Sequence, residues 1–232
     1  MIKLTNIQKS FQDGENRFNN VLRRINLKVK TGDFVSVKGS SGSGKTTLLS
    51  IMGTLLQPDS GSYLLNDIEL TDKNIDHSKI RNKQIGFVFQ DHRLMQQLTA
   101  LENILLPTLA FQNKTEISQI DYAKSLMQFT DIEHIAKQYP DTLSGGETSR
   151  VALCRALIMK PLVVLADEPT GQLDAENARN VASLLQKVNK ELETTIVMVT
   201  HSDEIAEVAN RILVLKNGEI INCPRIIRFF AK

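Results

Sequence analysis

Hydrophobic and polar positions change their spacing along the chain, and the change predicts two kinds of sheet. Ile25, Leu27 and Val29 alternate with polar residues, which is typical of a half-buried antiparallel strand. Residues 162–166 and 195–199 are continuous apolar runs, as expected for strands buried on both faces of a parallel sheet. We therefore predict two or three antiparallel strands near the N-terminus and a parallel sheet in the C-terminal half.

Turn-forming residues separate several of the predicted strands. The segment Gln12–Asn20 is polar and predicts a turn. A hairpin is predicted over Tyr63–Leu70, with Asn66-Asp67 at its tip. A second hairpin is predicted over residues 211–222, because Asn217-Gly218 is a favoured two-residue hairpin turn.

A mainly helical insert is predicted between the two kinds of sheet. It follows an apolar strand over residues 85–90 and covers residues 91–142, up to a Leu-Ser-Gly-Gly stretch at 143–146. Strand signals are few in this region, and apolar residues recur at helical spacing: Ile120, Ala123, Leu126 and Met127. Beyond residue 150, predicted helices alternate with the buried strands, which is typical of α/β folds.

A glycine-rich stretch at residues 39–47 reads GSSGSGKTT and fits the P-loop pattern G-x-x-x-x-G-K-[ST]. Its glycines allow backbone N–H groups to point at phosphate oxygens, Lys45 adds a positive charge, and the Thr46 hydroxyl can ligate Mg²⁺. An ordinary glycine–serine turn is the alternative. A predicted strand before it, Phe34–Lys38, and a predicted helix after it argue for the P-loop. The helix is predicted from the spacing of Leu48, Ile51, Met52 and Leu55, with Pro58 as its stop.

These patterns together predict the fold class and the residues that contact a nucleotide. The fold is expected to be α/β, a P-loop NTPase core with an antiparallel β subdomain and an inserted helical subdomain. The predicted ATP contacts are the loop residues Gly39, Ser40, Ser41, Gly42, Ser43, Gly44, Lys45, Thr46 and Thr47.

Two further motifs carry chemistry. The apolar run over 162–166 ends in Asp167 and Glu168; Asp167 suits a Mg²⁺ shell, and Glu168 can orient or deprotonate a water. A solvated turn is the alternative for this acid pair. The segment Ser144-Gly145-Gly146-Glu147 is both a capping box and a possible phosphate cradle. Because it heads a different helix from the P-loop, it predicts a nucleotide shared between two subunits.

In this order the motifs resemble those of the ATP-binding subunit of ABC transporters, over nearly the whole chain. The resemblance implies that residues 143–147 are the signature, and that residues 1–232 form one nucleotide-binding domain with a helical subdomain at about 91–150. It also implies two ATP molecules between head-to-tail monomers, each clamped by one P-loop and by the partner's signature.

The resemblance assigns further roles by position. Glu168, His201 and Gln90 would be catalytic; Thr46, Gln90 and Asp167 would hold Mg²⁺; Asp174 would be the D-loop aspartate; Phe11, with Phe18 as a rival, would stack on adenine. His77, His92 and His134 lack such support and are predicted to be surface residues. Glu147-Thr148-Ser149 departs from the usual Gln-Gln-Gln and brings a negative charge near the phosphates.

The same resemblance implies cofactors, partners and a location. ATP and Mg²⁺ are the expected cofactors. A second copy of the chain and an integral membrane permease are the expected partners, the permease docking near Gln90 and residues 94–106. The chain would then lie at the cytoplasmic face of the cell (inner) membrane. The segments at 87–94 and 98–103 resemble the lipoprotein-releasing and macrolide-exporter group. A cell-division-type regulatory ATPase and a soluble non-transport ABC ATPase are the alternatives.

Composition and net charge bear on the expected partners, on the role of the cysteines and on the location of the protein. The chain has 232 residues, 41% hydrophobic and 23% charged, with a net charge of +2, so we expect no nucleic-acid partner. Cys154 and Cys223 match no metal-binding spacing, and Cys154 is predicted to be a buried reduced thiol. No secretory leader or membrane-spanning run is found, which predicts a cytosolic protein. The tail at 225–232 could lie on a membrane or pack against the body.

Overall fold

The computed structural model describes residues 1–14, 18–72, 74–112 and 114–222. The predictions for Cys223 and for the tail at 225–232 lie outside these residues. The strands are β1 (Ile2–Gln12), β2 (Phe18–Val29), β3 (Phe34–Lys38), β4 (Ser60–Leu65), β5 (Ile68–Glu69), β6 (Ile85–Val88), β7 (Val163–Asp167), β8 (Thr195–Thr200), β9 (Arg211–Lys216) and β10 (Glu219–Asn222). The α-helices are α1 (Lys45–Met52), α2 (His77–Gln84), α3 (Ala100–Leu105), α4 (Ile117–Phe129), α5 (Gly145–Leu157), α6 (Ala175–Glu191) and α7 (Asp203–Ala206).

A six-stranded sheet forms the centre of the fold, in the order β10-β9-β3-β8-β7-β6. Its strands pair in parallel except for β10, which pairs with β9 in an antiparallel hairpin. Lys38 lies opposite Thr200, and Asp167 lies opposite Val199. The carboxyl ends of neighbouring strands therefore meet at one edge of the sheet, where α/β proteins bind their ligands.

The apolar runs of β7 and β8 are continuous because both faces of this sheet are covered. Alternate residues of the two strands belong to different cores. One core lies against α1 and the antiparallel sheet and includes Val163, Leu165, Val197 and Val199. The other lies against α5 and α6 and includes Val164, Ala166, Ile196 and Met198. The predicted fold class is confirmed.

The second sheet is antiparallel, in the order β2-β1-β4-β5. The predicted turn over Gln12–Asn20 is wrong at both ends, because β1 continues to Gln12 and Gln12 pairs with Phe18. Side chains in this outer part of the hairpin are exposed or half-buried, so cross-strand pairing continues there without an apolar alternation. The predicted tip of the β4–β5 hairpin is correct: Asn66 and Asp67 have φ values of 48° and 67°, as a type I′ turn requires.

Two helices differ from the prediction. Helix α1 ends at Met52, and Leu55 lies beyond it, 49% exposed. The helix ends because Thr54 adopts a left-handed φ of 55°, and the N–H groups of Thr54 and Leu55 donate back to the carbonyl oxygens of Ile51 at 3.0 Å and Ser50 at 2.9 Å. Helix α2 was not predicted, because it buries none of its residues and so has no apolar period. Its only local signal is Asp76, whose side chain accepts hydrogen bonds from the N–H groups of Ser78 and Lys79.

The connection from β6 to β7 is helical, as predicted, and contains α3, α4, α5 and three short 3₁₀ segments at Leu106–Leu109, Glu133–Ile135 and Pro140–Thr142. Strand β6 and helix α5 touch closely: a β-carbon on Gly86 would overlap the carbonyl oxygen of Ala156. This contact fixes α5 against the central sheet. Cys154 is fully buried on α5, as predicted, and burial raises the pKa of its thiol to about 12. Within the described residues, no helix has the length and apolar character needed to cross a bilayer.

Candidate functional site

Four loops at the carboxyl ends of β3, β8, β7 and β6 surround one cavity of about 720 Å³. Most of the sequence-predicted site residues line it: Phe11, Ser41, Gly42, Gly44, Lys45, Thr46, Thr47, Gln90, Glu168 and His201. Val21 of β2 also lines it and was missed, because a valine in a strand carries no chemical signal. Parallel register thus gathers residues that lie far apart in the sequence.

The loop between β3 and α1 has the conformation that its glycines were expected to permit. Gly44 caps α1 with a φ of 99°, in the left-handed region that favours glycine. A β-carbon on Gly44 would also lie 3.0 Å from side-chain atoms of both Leu22 and Val21. The N-terminus of α1, with its free N–H groups and positive dipole end, therefore opens into the cavity.

Lys45 is held inside the loop. Its side chain is only 7% exposed, and its Nζ donates hydrogen bonds to the carbonyl oxygens of Gly39 at 2.9 Å and Ser40 at 3.0 Å. The same Nζ lies 3.9 Å from Oε1 of Glu168. A buried ammonium needs such partners, and this one is placed to exchange them for oxygens of an anion in the cavity. Ser43, also predicted, lies in the same turn and donates its N–H to the Ser40 carbonyl at 3.2 Å.

The acid pair ends β7 beside this loop. Thr46 Oγ1 donates to Asp167 Oδ1 at 3.3 Å. Burial raises the pKa of Asp167, and the neighbouring Glu168 carboxylate adds to that rise. Glu168 has a φ of 44°, and its N–H donates to the Val199 carbonyl of β8 at 3.0 Å. The central sheet thus holds Glu168 in a strained conformation of the kind found at functional sites.

Two side chains meet the Glu168 segment from neighbouring strands. His201 follows β8, and its Nδ1 forms a hydrogen bond with Oε2 of Glu168. Gln90 follows β6, and its Nε2 lies 3.1 Å from the position that a β-carbon on Gly171 would occupy. Because Gly171 donates its N–H to the Glu168 carbonyl, Gln90 touches the turn that follows Glu168. All three predicted catalytic residues therefore line the same cavity.

Residues 144–147, the signature segment, form the capping box that the sequence also allowed. Ser144 caps α5, and both its N–H and its hydroxyl donate to Oε2 of Glu147, at 2.8 and 2.6 Å. These bonds from Ser144 hold the pKa of Glu147 below its ordinary value. The residues that line the cavity, among those the structure describes, do not include the signature segment.

Asp174 caps helix α6, next to the signature segment. Its Oδ1 accepts hydrogen bonds from the N–H groups of Glu176 and Asn177, and its Oδ2 accepts from Nδ2 of Asn177 at 2.6 Å. The Oδ1 atom of Asn177 lies 3.0 Å from where a β-carbon on Gly146 would be. The N-termini of α5 and α6 are therefore neighbours on the protein surface.

The aromatic and histidine predictions can be compared with the structure. Phe11 is 41% exposed and lines the cavity, whereas its rival Phe18 is 70% exposed and does not. His134 is exposed and His77 is half-buried. The prediction that His92 is a surface residue is wrong, because His92 is 6% exposed and its Nε2 lies 3.2 Å from Oγ of Ser149. The short Ser149 side chain leaves room for the buried imidazole ring.

A parallel sheet with a P-loop after β3 and an acid pair after β7 defines the P-loop NTPase class. Residues 22–171 match the model of the ABC transporter family. The chain therefore belongs to the ABC transporter family, as an ATP-binding subunit.

The similarity of this chain to its relatives and to solved structures extends over nearly its whole length. The ABC transporter ATP-binding protein MJ0796 of Methanocaldococcus jannaschii, described as uncharacterized, is 42% identical over 95% of each chain. The lipoprotein-releasing system ATP-binding protein LolD of Idiomarina loihiensis is 41% identical over 94% of this chain and 95% of its own. The dimeric structure of the MJ0796 cassette superposes with a TM-score of 0.85 at 40% identity, covering 95% of this chain and 96% of that one.

Proposed function

We propose that this chain binds and hydrolyses ATP with Mg²⁺ and thereby drives a membrane permease of the lipoprotein-releasing or macrolide-export type. The observation that carries the proposal is the single cavity in which Lys45, Thr46, Gln90, Glu168 and His201 converge. Two relatives support the branch: LolD, and the macrolide export ATP-binding/permease protein MacB of Campylobacter jejuni. MacB is 43% identical over 96% of this chain and 34% of its own length.

Nucleotide binding would use the P-loop and Phe11. Backbone N–H groups over residues 39–47 would donate to phosphate oxygens, and Lys45 would leave the Gly39 and Ser40 carbonyls to pair with them. Phe11, exposed at the rim of the same cavity, would stack on the adenine ring. A solved structure of the MJ0796 cassette bound to ADP and Pi, 38% identical with a TM-score of 0.85, supports this use of the fold.

Mg²⁺ fits the donors at this site, where Thr46 and Gln90 line the cavity and Asp167 lies beside it, hydrogen-bonded to Thr46. Thr46, Asp167 and Gln90 provide hydroxyl, carboxylate and amide oxygens, the ligand type that this ion prefers. In the described part of the chain, no group of three or more His, Cys, Asp or Glu residues could hold a metal by itself. Such a sparse set suits Mg²⁺, which takes its other ligands from water and phosphates. When bound, the ion would neutralise charge that develops on the phosphates.

Hydrolysis would depend on Glu168 and the residues around it. The Glu168 carboxylate would orient the attacking water and accept its proton. His201, bonded to the other oxygen of that carboxylate, would hold it in place. Gln90, against Gly171, would connect the reacting end of the cavity to the helical region after β6.

We propose that two identical copies share the nucleotides. The signature segment does not line its own chain's cavity, although its helix N-terminus suits a phosphate. A second copy in head-to-tail orientation would bring its Ser144, Gly145 and Gly146 to the nucleotide, and Asp174 beside them would lie at the same interface. The dimeric structure of the MJ0796 cassette supports the pairing of two copies.

Replacing Glu147 by Gln should strengthen this shared site. The Ser144 hydroxyl now donates to the Glu147 carboxylate, so it must break that bond to donate to a phosphate. The substitution removes the negative charge and keeps the length of the side chain. We expect turnover at sub-saturating ATP to rise about 5-fold, which corresponds to about 1 kcal/mol of relieved repulsion. Phosphate release measured across an ATP titration checks this.

Glu102→Gln is the matched control for that variant. Thr99 and Glu102 form the same capping box on α3, with the Thr99 hydroxyl donating to Glu102 at 2.7 Å. We expect this control to leave turnover unchanged. Equal turnover of Glu147→Gln and the unaltered protein would show that Glu147 does not oppose the nucleotide.

The permease would dock in a second cavity of about 670 Å³, beside the Gln90 loop. Its lining is mostly apolar and includes Phe87, Phe89, Leu106, Phe111 and Met159. The sequence placed docking near Gln90 and residues 94–106; of the leucines there, Leu106 lines this cavity, while Leu94 packs against the protein's own core. A helix of a permease would fill such a groove with its apolar side chains.

Phe111→Glu should remove the chain from its permease. Phe111 is 57% exposed at this groove, and a buried charge there would lower affinity by at least roughly 10-fold. Tagged protein expressed in its native cell and purified in mild detergent should lose its co-purifying permease. Ile117→Glu, at a 78% exposed residue outside the groove, should retain it. Equal recovery with both variants contradicts docking here, and recovery of ribosomal or DNA-repair proteins would favour a soluble non-transport ATPase.

A second candidate function is ATP-dependent signalling through a permease-like partner with little turnover. The observation in its favour is again the Ser144 hydroxyl, which is bonded to Glu147. This alternative predicts that turnover of the unaltered protein stays low even in saturating ATP. In either case we propose a location at the cytoplasmic face of the cell (inner) membrane, held there by the permease. We also propose a single domain over 1–232, with a helical subdomain at about 91–150.

A further inference from the structure

Helix α5 contacts the segment that follows Gln90 at two points, in each case by hydrogen bonds. Near its N-terminus, Ser149 Oγ lies 3.2 Å from Nε2 of the buried His92 ring. Two turns later, the Arg155 guanidinium donates to the carbonyl oxygens of His92 at 2.5 Å and Arg93 at 2.7 Å. The helix that begins with the signature segment is therefore tied directly to the loop that carries Gln90.

The Ser149 hydroxyl bridges His92 and the start of α5. Its Oγ lies 3.2 Å from His92 Nε2 and 2.9 Å from the Gly145 carbonyl oxygen, within hydrogen-bond distance of both. Gly145 is the first residue of α5 and follows Ser144. A chain of two hydrogen bonds thus runs from His92 to the backbone of the signature segment.

The loop that α5 contacts has a strained backbone. His92 and Arg93 have φ values of 54° and 49°, in the left-handed region that disfavours non-glycine residues. Each such residue costs energy and persists only where surrounding contacts hold it. Helix α5 supplies contacts to both strained residues, since Arg155 binds both carbonyl groups and Ser149 binds the ring. Within the loop, Arg93 also pairs with Asp91 and lies over the Phe89 ring.

We propose that His92, Ser149 and Arg155 are positioning residues that make the Gln90 loop and the signature segment move as one unit. A displacement of Gln90 by nucleotide in one cavity would reach Ser144 of the same chain, and through it the nucleotide bound by the partner copy. This inference rests on the proposed function. It adds the residues that transmit a change at one nucleotide-binding site of a dimer to the other site.

The test removes each end of the His92–Ser149 bond. His92→Leu keeps the bulk of the ring without its nitrogen atoms, Ser149→Ala removes the hydroxyl, and His92→Gln restores a hydrogen-bonding group at similar reach. Turnover per ATP-binding site should fall about 5-fold in both loss variants while monomer affinity for ATP stays unchanged. The double variant should lose no more than either single variant, and His92→Gln should recover most of the turnover. His77→Leu and Ser125→Ala make the same changes elsewhere and should have no effect.

Hydrogen exchange gives a readout that needs no turnover. The comparison is made with Ser144→Arg also present, which keeps the chain monomeric so that no partner's nucleotide covers the signature segment. ATP should then slow amide exchange at residues 90–93 and at 145–149 when His92 is present, but only at 90–93 in His92→Leu. Slowing at both segments in His92→Leu, or losses of turnover that multiply in the double variant, would overturn the proposal. An unaltered protein that fails to bind ATP would instead overturn the proposed function, so the two failures are distinguishable.

Discussion

Glu168→Gln should lower the rate of ATP hydrolysis about 10³-fold. The amide keeps the size and hydrogen-bonding reach of the carboxylate but cannot accept a proton from the attacking water. Lys45 and the P-loop are unchanged, so ATP affinity should remain. Phosphate release under single-turnover conditions, together with equilibrium binding of ATP, measures the two quantities separately.

His201→Ala tests whether Glu168 has the role assigned to it. His201 is 64% exposed and forms a hydrogen bond with the Glu168 carboxylate. We therefore expect His201 to affect the attacking water through its contact with Glu168. Its removal should cost about 10-fold, less than the loss in Glu168→Gln. A Glu168→Gln variant that keeps a third or more of the hydrolysis rate would show that another group accepts the proton.

Lys45→Ala should lower ATP affinity about 100-fold, the loss expected for a charge-assisted contact to phosphate. The Lys45 ammonium is the buried cation at the end of the cavity, and it lies within the loop that would surround the phosphates. The Gly39 and Ser40 carbonyls that it leaves behind can be reached by water, so the fold should persist. Isothermal titration with ATP, and circular dichroism of the same sample, check both expectations.

Lys38→Ala is the matched control for the lysine. Lys38 ends β3, one residue before the P-loop, and its ammonium pairs with the exposed Asp203. Its removal should leave ATP affinity within about 2-fold, because an exposed ion pair contributes little. Comparable losses in both variants would mean that general positive charge near β3, rather than Lys45 itself, attracts the nucleotide.

The sequence predicts the central sheet well because burial on both faces leaves a clear pattern. Residues 163–166 of β7 and 196–199 of β8 are apolar at every position, and each strand packs against two cores. Exposed elements leave no such pattern. Helix α2 buries nothing and the outer parts of β1 and β2 are paired but exposed, so neither was predicted. The end of α1 is set by a left-handed conformation at Thr54, a residue type that does not indicate such a conformation.

The candidate site, like the fold, is predicted from the sequence only in part. Residue types and spacing predict Lys45, Asp167 and Glu168, and the family resemblance adds His201. The register of adjacent parallel strands explains why these residues meet. Contacts between loops that are distant in the sequence leave no pattern of residue types or spacing. The bond from His92 to Ser149 depends on a strained loop and on a short side chain at 149, and a lone histidine in a polar stretch indicates neither.

The central claim, that two copies of this chain share ATP, is tested most directly by the mass of Glu168→Gln in solution. Light scattering during size-exclusion chromatography should give the mass of a single chain with ADP and twice that mass with saturating ATP and Mg²⁺. Adding Ser144→Arg to the same protein should abolish the doubling while each P-loop still binds ATP. A Glu168→Gln protein that stays a single chain in saturating ATP would contradict the account.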